Sequence, residues 1–117
     1  MGDSISSKVP VVVLVDHGTA SAAEIVTGAL QDRHRAEVVG TRTFGKGVFQ
    51  EIEQLSNGGA LDITVGEYFL PSGRNLGGGG VKEGRGIAPD VTARDNPHTS
   101  RDEALDAALR MLAAQRR

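Results

Sequence analysis

The feature that most constrains the fold is a short apolar run at residues 9–15, which a polar tetrapeptide at 16–19 ends abruptly. The run is continuous and rich in valine, which predicts a strand covered on both faces. A helical pattern follows over residues 20–33, and residues 37–40 have the composition of a second short strand. Strand, helix and strand in so short a stretch predict a βαβ crossover and a parallel sheet.

The predicted first helix has one apolar face, which we expect to be buried. That face consists of Ile25, Val26, Ala29 and Leu30. Thr19 or Ser21 is placed to cap the first turn, and Glu24 suits the positive end of the helix dipole.

The middle of the chain has the pattern of a β-hairpin. Residues 48–55 and 60–70 are predicted strands, and the Ser-Asn-Gly-Gly sequence at 56–59 is the turn between them. Alternation predicts two faces for the second strand. One face holds Leu61, Ile63, Val65 and Glu67, and the other holds Asp62, Thr64, Gly66 and Tyr68.

The rest of the chain contains shorter signals and one more helix. We predict a turn at residues 71–74, a mobile glycine-rich segment at 75–86, and a short extended segment at 87–91. A last helix is predicted over 101–117, capped by Thr99 or Ser100. Its apolar stripe consists of Ala104, Leu105, Ala108, Leu109 and Leu112.

Composition and charge exclude several classes of function. The 13 basic and 15 acidic residues leave a net charge of -2 without a basic stripe, so we expect no nucleic-acid partner. The chain has no cysteine, which removes disulfides, thiolate metal sites and cysteine nucleophiles. No two histidines have metal-ligand spacing, so we expect no metal site. With only one tyrosine and three phenylalanines, the core must be small and aliphatic.

Ser21 is the first candidate for chemistry, because it lies between the predicted first strand and the first helix. The first N–H groups of a helix lack intrahelical partners and can stabilise an oxyanion. A serine hydroxyl becomes a good nucleophile only when a base removes its proton. Serine is also a common helix cap, so position alone leaves both roles open.

Lys46 is the second candidate, since it lies between Gly45 and Gly47 in apolar surroundings. A desolvated lysine can act as a base. A solvent-exposed turn lysine and a phosphate-binding loop are the alternatives, although the spacing of a Walker loop is absent.

The histidines offer a check on the more familiar serine triad. A Ser-His-Asp arrangement would use His17 and Asp16, but both lie on the same short loop as Ser21, which makes a useful approach to the hydroxyl difficult. His34 ends the first helix, where it suits the helix dipole.

Four segments, in order, resemble the carboxyl-terminal processing (tail-specific) serine proteases. Residues 11–25 and 28–32 are similar to the nucleophile segment of that family, and residues 39–50 to its lysine segment. Residues 68–74 and 86–91 resemble two further stretches that follow in the same order. The resemblance implies a ClpP/crotonase-like α/β fold, with this chain supplying a βαβ unit, a β-hairpin and a C-terminal helix.

The resemblance also implies roles for individual residues. Ser21 matches the family's nucleophile, Lys46 its general base and Gln50 the glutamine that orients the lysine, while the Ala22 N–H is one oxyanion donor. Ala23 stands where the family often has a second serine. The implied function is a serine-type endopeptidase that hydrolyses peptide bonds near protein C-termini without a cofactor. The alternative is a non-catalytic oligomerisation or peptide-interaction module derived from such a domain.

Domain organisation and setting follow from the same resemblance. We expect residues 1–8 to be a cloned start or linker, 9–93 the C-terminal part of the catalytic domain, and 94–117 a C-terminal helix. The family carries a PDZ domain and further catalytic sequence upstream, so we expect an incomplete catalytic domain with low activity alone. The implied partners are polypeptides with exposed C-termini and further copies of the chain, in an extracytoplasmic, membrane-anchored, periplasmic or secreted setting.

Overall fold

Five strands and two helices make up the computed structural model, which describes residues 4–76 and 85–115. In chain order they are β1 (Val12–Val15), α1 (Ala22–Asp32), β2 (Glu37–Gly40), β3 (Val48–Gln54), β4 (Ala60–Glu67), β5 (Val91–Thr92) and α2 (Glu103–Gln115). Most of the predicted mobile segment at 75–86 lies outside the described residues.

A parallel sheet in the order β1-β2-β5 confirms the predicted βαβ unit. The prediction that the first strand is covered on both faces is wrong. That strand is at the edge of the sheet, and Leu14 is 43% exposed. The covered strand is β2, where Val38 and Val39 are both 0% exposed and both helices make contact. An apolar run marks a strand, but only the strand order decides which strand lies in the centre.

The hydrophobic core is a cluster of Leu70, Leu76 and Ile87, against which Ile25 of α1 packs. Gly28 lets α1 approach this cluster closely, since a Cβ there would lie 2.5 Å from Leu70 Cδ1. The segment that follows the hairpin therefore supplies much of the core for the first helix.

The buried face of α1 differs from the predicted apolar face. Glu24, Thr27 and Gly28 are buried, whereas Val26 is 60% exposed. The buried Thr27 hydroxyl donates a hydrogen bond to the Ala23 carbonyl at 2.8 Å. The helix turns a partly polar face inward because the loop that it meets there offers hydrogen-bond donors, as described below.

Strands β3 and β4 form the predicted antiparallel hairpin, with a register shift between Phe49 and Gln50. Phe49 pairs with Gly66 and Gln50 with Thr64, so one residue of β4 has no partner in the ladder. Beyond this bulge Glu67 pairs with Val48 and shares a face with Thr64. The predicted grouping of Glu67 with Leu61 is therefore wrong, because strict alternation contains no extra residue.

No other helix or strand of the described chain makes more than a marginal contact with the hairpin. Val48 at its base is buried, but most of its large apolar side chains are exposed. They include Ile52, Leu55, Leu61, Ile63 and Val65. The resulting radius of gyration is 17.3 Å, against about 13 Å for a compact domain of this length.

The last helix begins later than predicted and has a different cap. The Asp102 carboxylate accepts the Leu105 N–H at 2.7 Å, which is the cap that Thr99 or Ser100 was expected to supply. The Thr99 hydroxyl instead donates to Glu103 Oε1 at 2.7 Å. A carboxylate at this position also interacts favourably with the helix dipole.

The predicted stripe of α2 is only partly buried. The helix packs on β1 and β2 through Ala108, which is buried, while Leu105 and Leu109 are exposed. The three-stranded sheet is too narrow to cover the whole stripe.

Candidate active site

The loop after β1 is a tight turn that delivers Ser21 to the start of α1. Asp16 Oδ1 accepts the Gly18 N–H at 2.8 Å, and the Asp16 N–H donates to Thr19 Oγ1 at 3.1 Å. The Thr19 N–H closes the turn by donating to the Asp16 carbonyl at 3.0 Å. These short-range bonds fix the path of the chain into the helix.

Ser21 has a strained backbone, with φ 56° and ψ -123° at the N-cap of α1. A residue with a Cβ rarely adopts positive φ, and such strain costs on the order of 1–3 kcal/mol. A strained serine on a sharp strand-to-helix turn is the arrangement that presents a nucleophile in other hydrolases. Sequence patterns carry no signal for this strain, since serine is unremarkable at a helix start.

Ala22 is the first residue of α1, so its N–H has no acceptor within the helix. Among the described residues it donates to no other acceptor either. The group next to the Ser21 side chain is therefore able to donate to an oxyanion.

Lys46 is half-buried in the loop between β2 and β3. The loop is tied to the serine turn, because the Phe44 N–H donates to the Thr19 carbonyl at 2.9 Å. On its other side the Tyr68 N–H donates to the Gly47 carbonyl at 2.7 Å. The lysine segment is thus held between the serine turn and the base of the hairpin.

Glu24 joins the two candidate segments, and sequence reasoning missed this role. Its side chain is fully buried, and Oε2 accepts the N–H groups of Ser21 and Lys46, both at 2.9 Å. Oε1 accepts the Thr43 hydroxyl at 2.5 Å and the Gly45 N–H at 2.7 Å. Four donors fill the four acceptor positions of one carboxylate.

One sequence signal points to part of this role. Ser21 and Glu24 have the spacing of a capping box, in which the glutamate reaches back to the N-cap N–H. The bonds to residues 43–46 join parts of the chain that are distant in sequence, and no local pattern contains them. Because the N–H groups of Gly45 and Lys46 already bind Glu24, a phosphate-binding loop would lack these two backbone donors.

A second set of contacts holds Thr43 in place. Thr43 Oγ1 accepts the Ile87 N–H at 2.7 Å, and the Thr43 N–H donates to the Ile87 carbonyl at 3.1 Å. Gly86 lies so close that a Cβ there would be 2.2 Å from Thr43 Oγ1 and 2.5 Å from Glu24 Oε1. The motif at 86–91 therefore packs directly on the hydrogen bonds of Glu24.

Asp90 anchors the same motif to the sheet. Its Oδ2 accepts the Val38 N–H at 2.7 Å, and its Oδ1 accepts Gln31 Nε2 at 3.1 Å. Gln31 Nε2 also donates to the Ala88 carbonyl at 3.0 Å. The Asp90 carboxylate thus links α1 and β2 to the residues that lead into β5.

The side chains of Ser21, Lys46 and Gln50 make no hydrogen bonds to one another within residues 4–76 and 85–115. Gln50 lies exposed on β3, next to the bulge. Catalytic hydrogen bonds are often long without substrate, so this geometry leaves the predicted roles untested. No hydrogen bond in the described chain joins His17 to Asp16, whose carboxylate serves the turn.

The other well-paired carboxylate of α1 lies at its far end. Burial tends to raise the pKa of Asp32, but hydrogen bonds from Ser72 and the Arg74 guanidinium outweigh it and lower that pKa. The Arg74–Asp32 ion pair has an N···O distance of 2.5 Å. It fastens the turn at 71–74 to α1.

The described residues contain neither a metal-ligating cluster nor a helix that could span a membrane. No group of three or more potential metal-ligating side chains occurs in the described parts of the chain. No helix there has the length and hydropathy to cross a bilayer.

The fold and this site define an α/β protein of the ClpP-like kind, with a strained serine at a strand-to-helix turn. The sequence model of peptidase family S41 matches residues 2–93. The chain belongs to this family, which confirms the resemblance to carboxyl-terminal processing proteases.

Two individual relatives, both named as C-terminal processing proteases, agree with the family assignment. Over 110 residues the chain is 42% identical to a chloroplastic C-terminal processing peptidase of Tetradesmus obliquus, covering 94% of this chain and 24% of that protein. It is 41% identical over 109 residues to a carboxy-terminal-processing protease of Bartonella bacilliformis, covering 93% of this chain and 23% of that one. The chain thus spans about a quarter of the length of these relatives.

Solved structures give the same fold. The photosystem II D1 C-terminal processing protease superimposes with a TM-score of 0.61 at 40% identity, over 88% of this chain and 24% of that one. The tricorn protease gives a TM-score of 0.68 at 20% identity, over 92% and 11%, which shows a shared fold alone.

Proposed function

We propose that the chain carries the nucleophile and the base of a serine endopeptidase that hydrolyses peptide bonds near protein C-termini. The observation that carries the proposal is the junction at Glu24. One carboxylate oxygen binds the backbone N–H of both Ser21 and Lys46, the two residues that the family resemblance singles out. The names of the relatives support the reaction class.

The proposed reaction is acyl transfer through Ser21. The neutral amine of Lys46 removes the hydroxyl proton, and the serine oxygen attacks the carbonyl carbon of the scissile bond. The oxyanion accepts a hydrogen bond from the Ala22 N–H. The Lys46 ammonium then protonates the leaving amine, and a water activated by the same lysine releases the acyl group. Gln50 orients the lysine, and no cofactor takes part.

Glu24 serves the backbone of the site and does not act as the base. Its carboxylate is buried, and its acceptor positions are filled by four other donors. No ion pair joins this carboxylate to the Lys46 amine in the described residues, so in the proposal the amine is left to act on Ser21. The strain at Ser21 supports a role as nucleophile over a role as a simple cap.

The rest of the catalytic machinery is proposed to lie outside these residues. The relatives are about four times as long as the segment that they share with this chain. We assign the second oxyanion donor, much of the substrate cleft and a peptide-binding PDZ domain to that additional sequence. Residues 9–93 would then be the C-terminal part of the catalytic domain, followed by a C-terminal helical segment at 94–117, in a homo-oligomeric, extracytoplasmic protein.

Labelling with a serine-reactive phosphonate tests the proposal. We expect the full-length protein to be labelled at Ser21, the 117-residue chain to be labelled more slowly, and Ser21→Ala to give the blank. Lys46→Arg should reduce the rate by about 10²–10⁴, because a guanidinium stays protonated and general-base catalysis contributes about that much.

Lys8→Arg is the matched control, since Lys8 is exposed and lies outside the site. Labelling of Lys46→Arg at the rate of Lys8→Arg would remove the lysine from the mechanism. Absence of labelling in every form, with the fold intact, would favour a non-catalytic interaction module instead.

A further inference from the structure

We infer that Glu24 is a positioning residue, which sets the separation of the nucleophile turn and the lysine loop. The inference rests on the proposed function for its catalytic consequence. It rests on geometry alone for the claim that this one side chain holds the two segments together.

The nucleophile turn and the lysine loop share one acceptor atom. Glu24 Oε2 accepts the Ser21 N–H and the Lys46 N–H at the same distance, 2.9 Å. Both backbones are therefore anchored to one atom, and loss of that acceptor frees the nucleophile turn and the lysine loop to move relative to each other. An ordinary capping box would reach only the Ser21 N–H.

The second oxygen removes the remaining freedom of the carboxylate. Oε1 is held by the Thr43 hydroxyl at 2.5 Å and the Gly45 N–H at 2.7 Å. Thr43 is itself fixed by Ile87, and Gly86 closes over the pair. With the side chain fully buried, no water competes for these bonds.

The site requires an acceptor at every position, which a carboxylate provides and a carboxamide does not. In Glu24→Gln the amide nitrogen would face either the N–H groups of Ser21 and Lys46 or the donors of Thr43 and Gly45. The Thr43 hydroxyl could rotate to accept, but the backbone N–H groups could not. The substitution hardly changes volume, so it separates hydrogen bonding from packing.

The experiment compares Glu24→Gln with Asp32→Asn in the full-length protein. Both remove one carboxylate from α1, but Asp32 lies at the end of the helix remote from Ser21. We expect phosphonate labelling of Ser21 to slow by about 10²-fold in Glu24→Gln, the order of loss expected for a misplacement of about 1 Å. With a peptide substrate, kcat should fall and KM should change little. Asp32→Asn should be labelled at the wild-type rate.

Amide hydrogen exchange gives a readout that does not require activity. In the wild type the amide protons of Ser21, Gly45 and Lys46 should be protected, and in Glu24→Gln they should lose protection together. Those of Val38 and Val39 should remain protected, which shows that the fold is retained. Should Glu24→Gln fail to fold, Glu24→Asp keeps the charge and shortens the reach, and the same three amides should exchange faster.

The two experiments distinguish failure of the inference about Glu24 from failure of the proposed function. Wild-type labelling rates and retained protection in Glu24→Gln would overturn the inference while leaving the Ser-Lys mechanism intact. If the wild type is not labelled, the proposed function fails, and the exchange pattern alone decides whether Glu24 holds the two segments.

Discussion

The hairpin and the rest of the described chain are stabilised in opposite ways. Around the parallel sheet and its helices, polar groups lie inside the protein and are paired, and no buried side-chain nitrogen or oxygen of the described residues lacks a partner. The hairpin of β3 and β4 instead leaves large apolar side chains in solvent and is stabilised by pairing between its own strands. The comparison shows that apolar content alone does not locate the core, since a buried Glu24 contrasts with an exposed Ile52.

The largest expected effect comes from making the same substitution in both regions. Ile87 is 1% exposed and Ile52 is 69% exposed. Ile87→Ala should lower the free energy of unfolding by about 3 kcal/mol, because it removes buried methyl groups and leaves a cavity. Ile52→Ala should change it by less than about 0.5 kcal/mol.

Urea denaturation of the 117-residue chain measures both values. Equal losses for the two variants would mean that the hairpin is packed against other residues in solution. The distinction between the two regions would then not hold.

A smaller effect is expected from adding a methyl group to a glycine. In Gly86→Ala the new Cβ would meet Thr43 Oγ1 at 2.2 Å and the Thr43 carbonyl oxygen at 2.6 Å. Backbone on the far side cannot yield easily, so we expect a loss of about 2 kcal/mol, typical of overpacking. Thr43 and Glu24 would also separate, so the labelling of Ser21 should slow.

Gly59→Ala in the hairpin turn is the matched control. Its nearest neighbour would be the side-chain oxygen of Asn57 at 3.0 Å, which is at the end of a mobile group. We expect little change in thermal unfolding for this variant. A Gly86→Ala protein as stable as Gly59→Ala would show that the contacts around Thr43 are loose.

The smallest effect is electrostatic and concerns Asp32. Burial opposes ionisation, but hydrogen bonds from Ser72 and the Arg74 guanidinium lower the pKa of this carboxyl below its ordinary value. We expect Asp32→Asn to cost about 1 kcal/mol at neutral pH, a low figure because Arg74 is half exposed and screened by solvent.

The contribution of Asp32 to the free energy of unfolding depends on pH with a definite sign. A carboxyl whose pKa is lower in the folded state stabilises the protein above its unfolded pKa of about 3.9. That contribution is lost as the pH falls through the folded value. The difference in unfolding free energy between wild type and Asp32→Asn should therefore shrink below about pH 4, and a constant difference would contradict the assignment.

Several parts of the structure could be predicted from local sequence. The strand at 37–40 has the predicted bounds, and the turn at 56–59 and the parallel βαβ unit are confirmed. The strand and the turn depend on residues within a few positions of each other, so periodicity and turn chemistry are sufficient. The parallel pairing follows from the order strand, helix, strand. The family resemblance is confirmed for the same reason, since its four motifs are contiguous stretches.

Other features depend on contacts across the chain. The edge position of β1, the exposure of Val26 and the bulge that moves Glu67 to the other face all follow from which elements meet. The Asp102 cap of α2 is by contrast a local bond, three positions from Leu105, that the sequence prediction missed by placing the start of the helix too early.

The sequence by itself determined the residue types of the site: a serine at a helix start, a glutamate three positions later and a lysine between two glycines. Only the tertiary structure decided that the glutamate binds the other two segments and that the serine is strained. The physical reason is that a buried carboxylate must find donors wherever the folded chain offers them. Here three of its four donors lie 19 to 22 positions along the chain, beyond the reach of any local pattern.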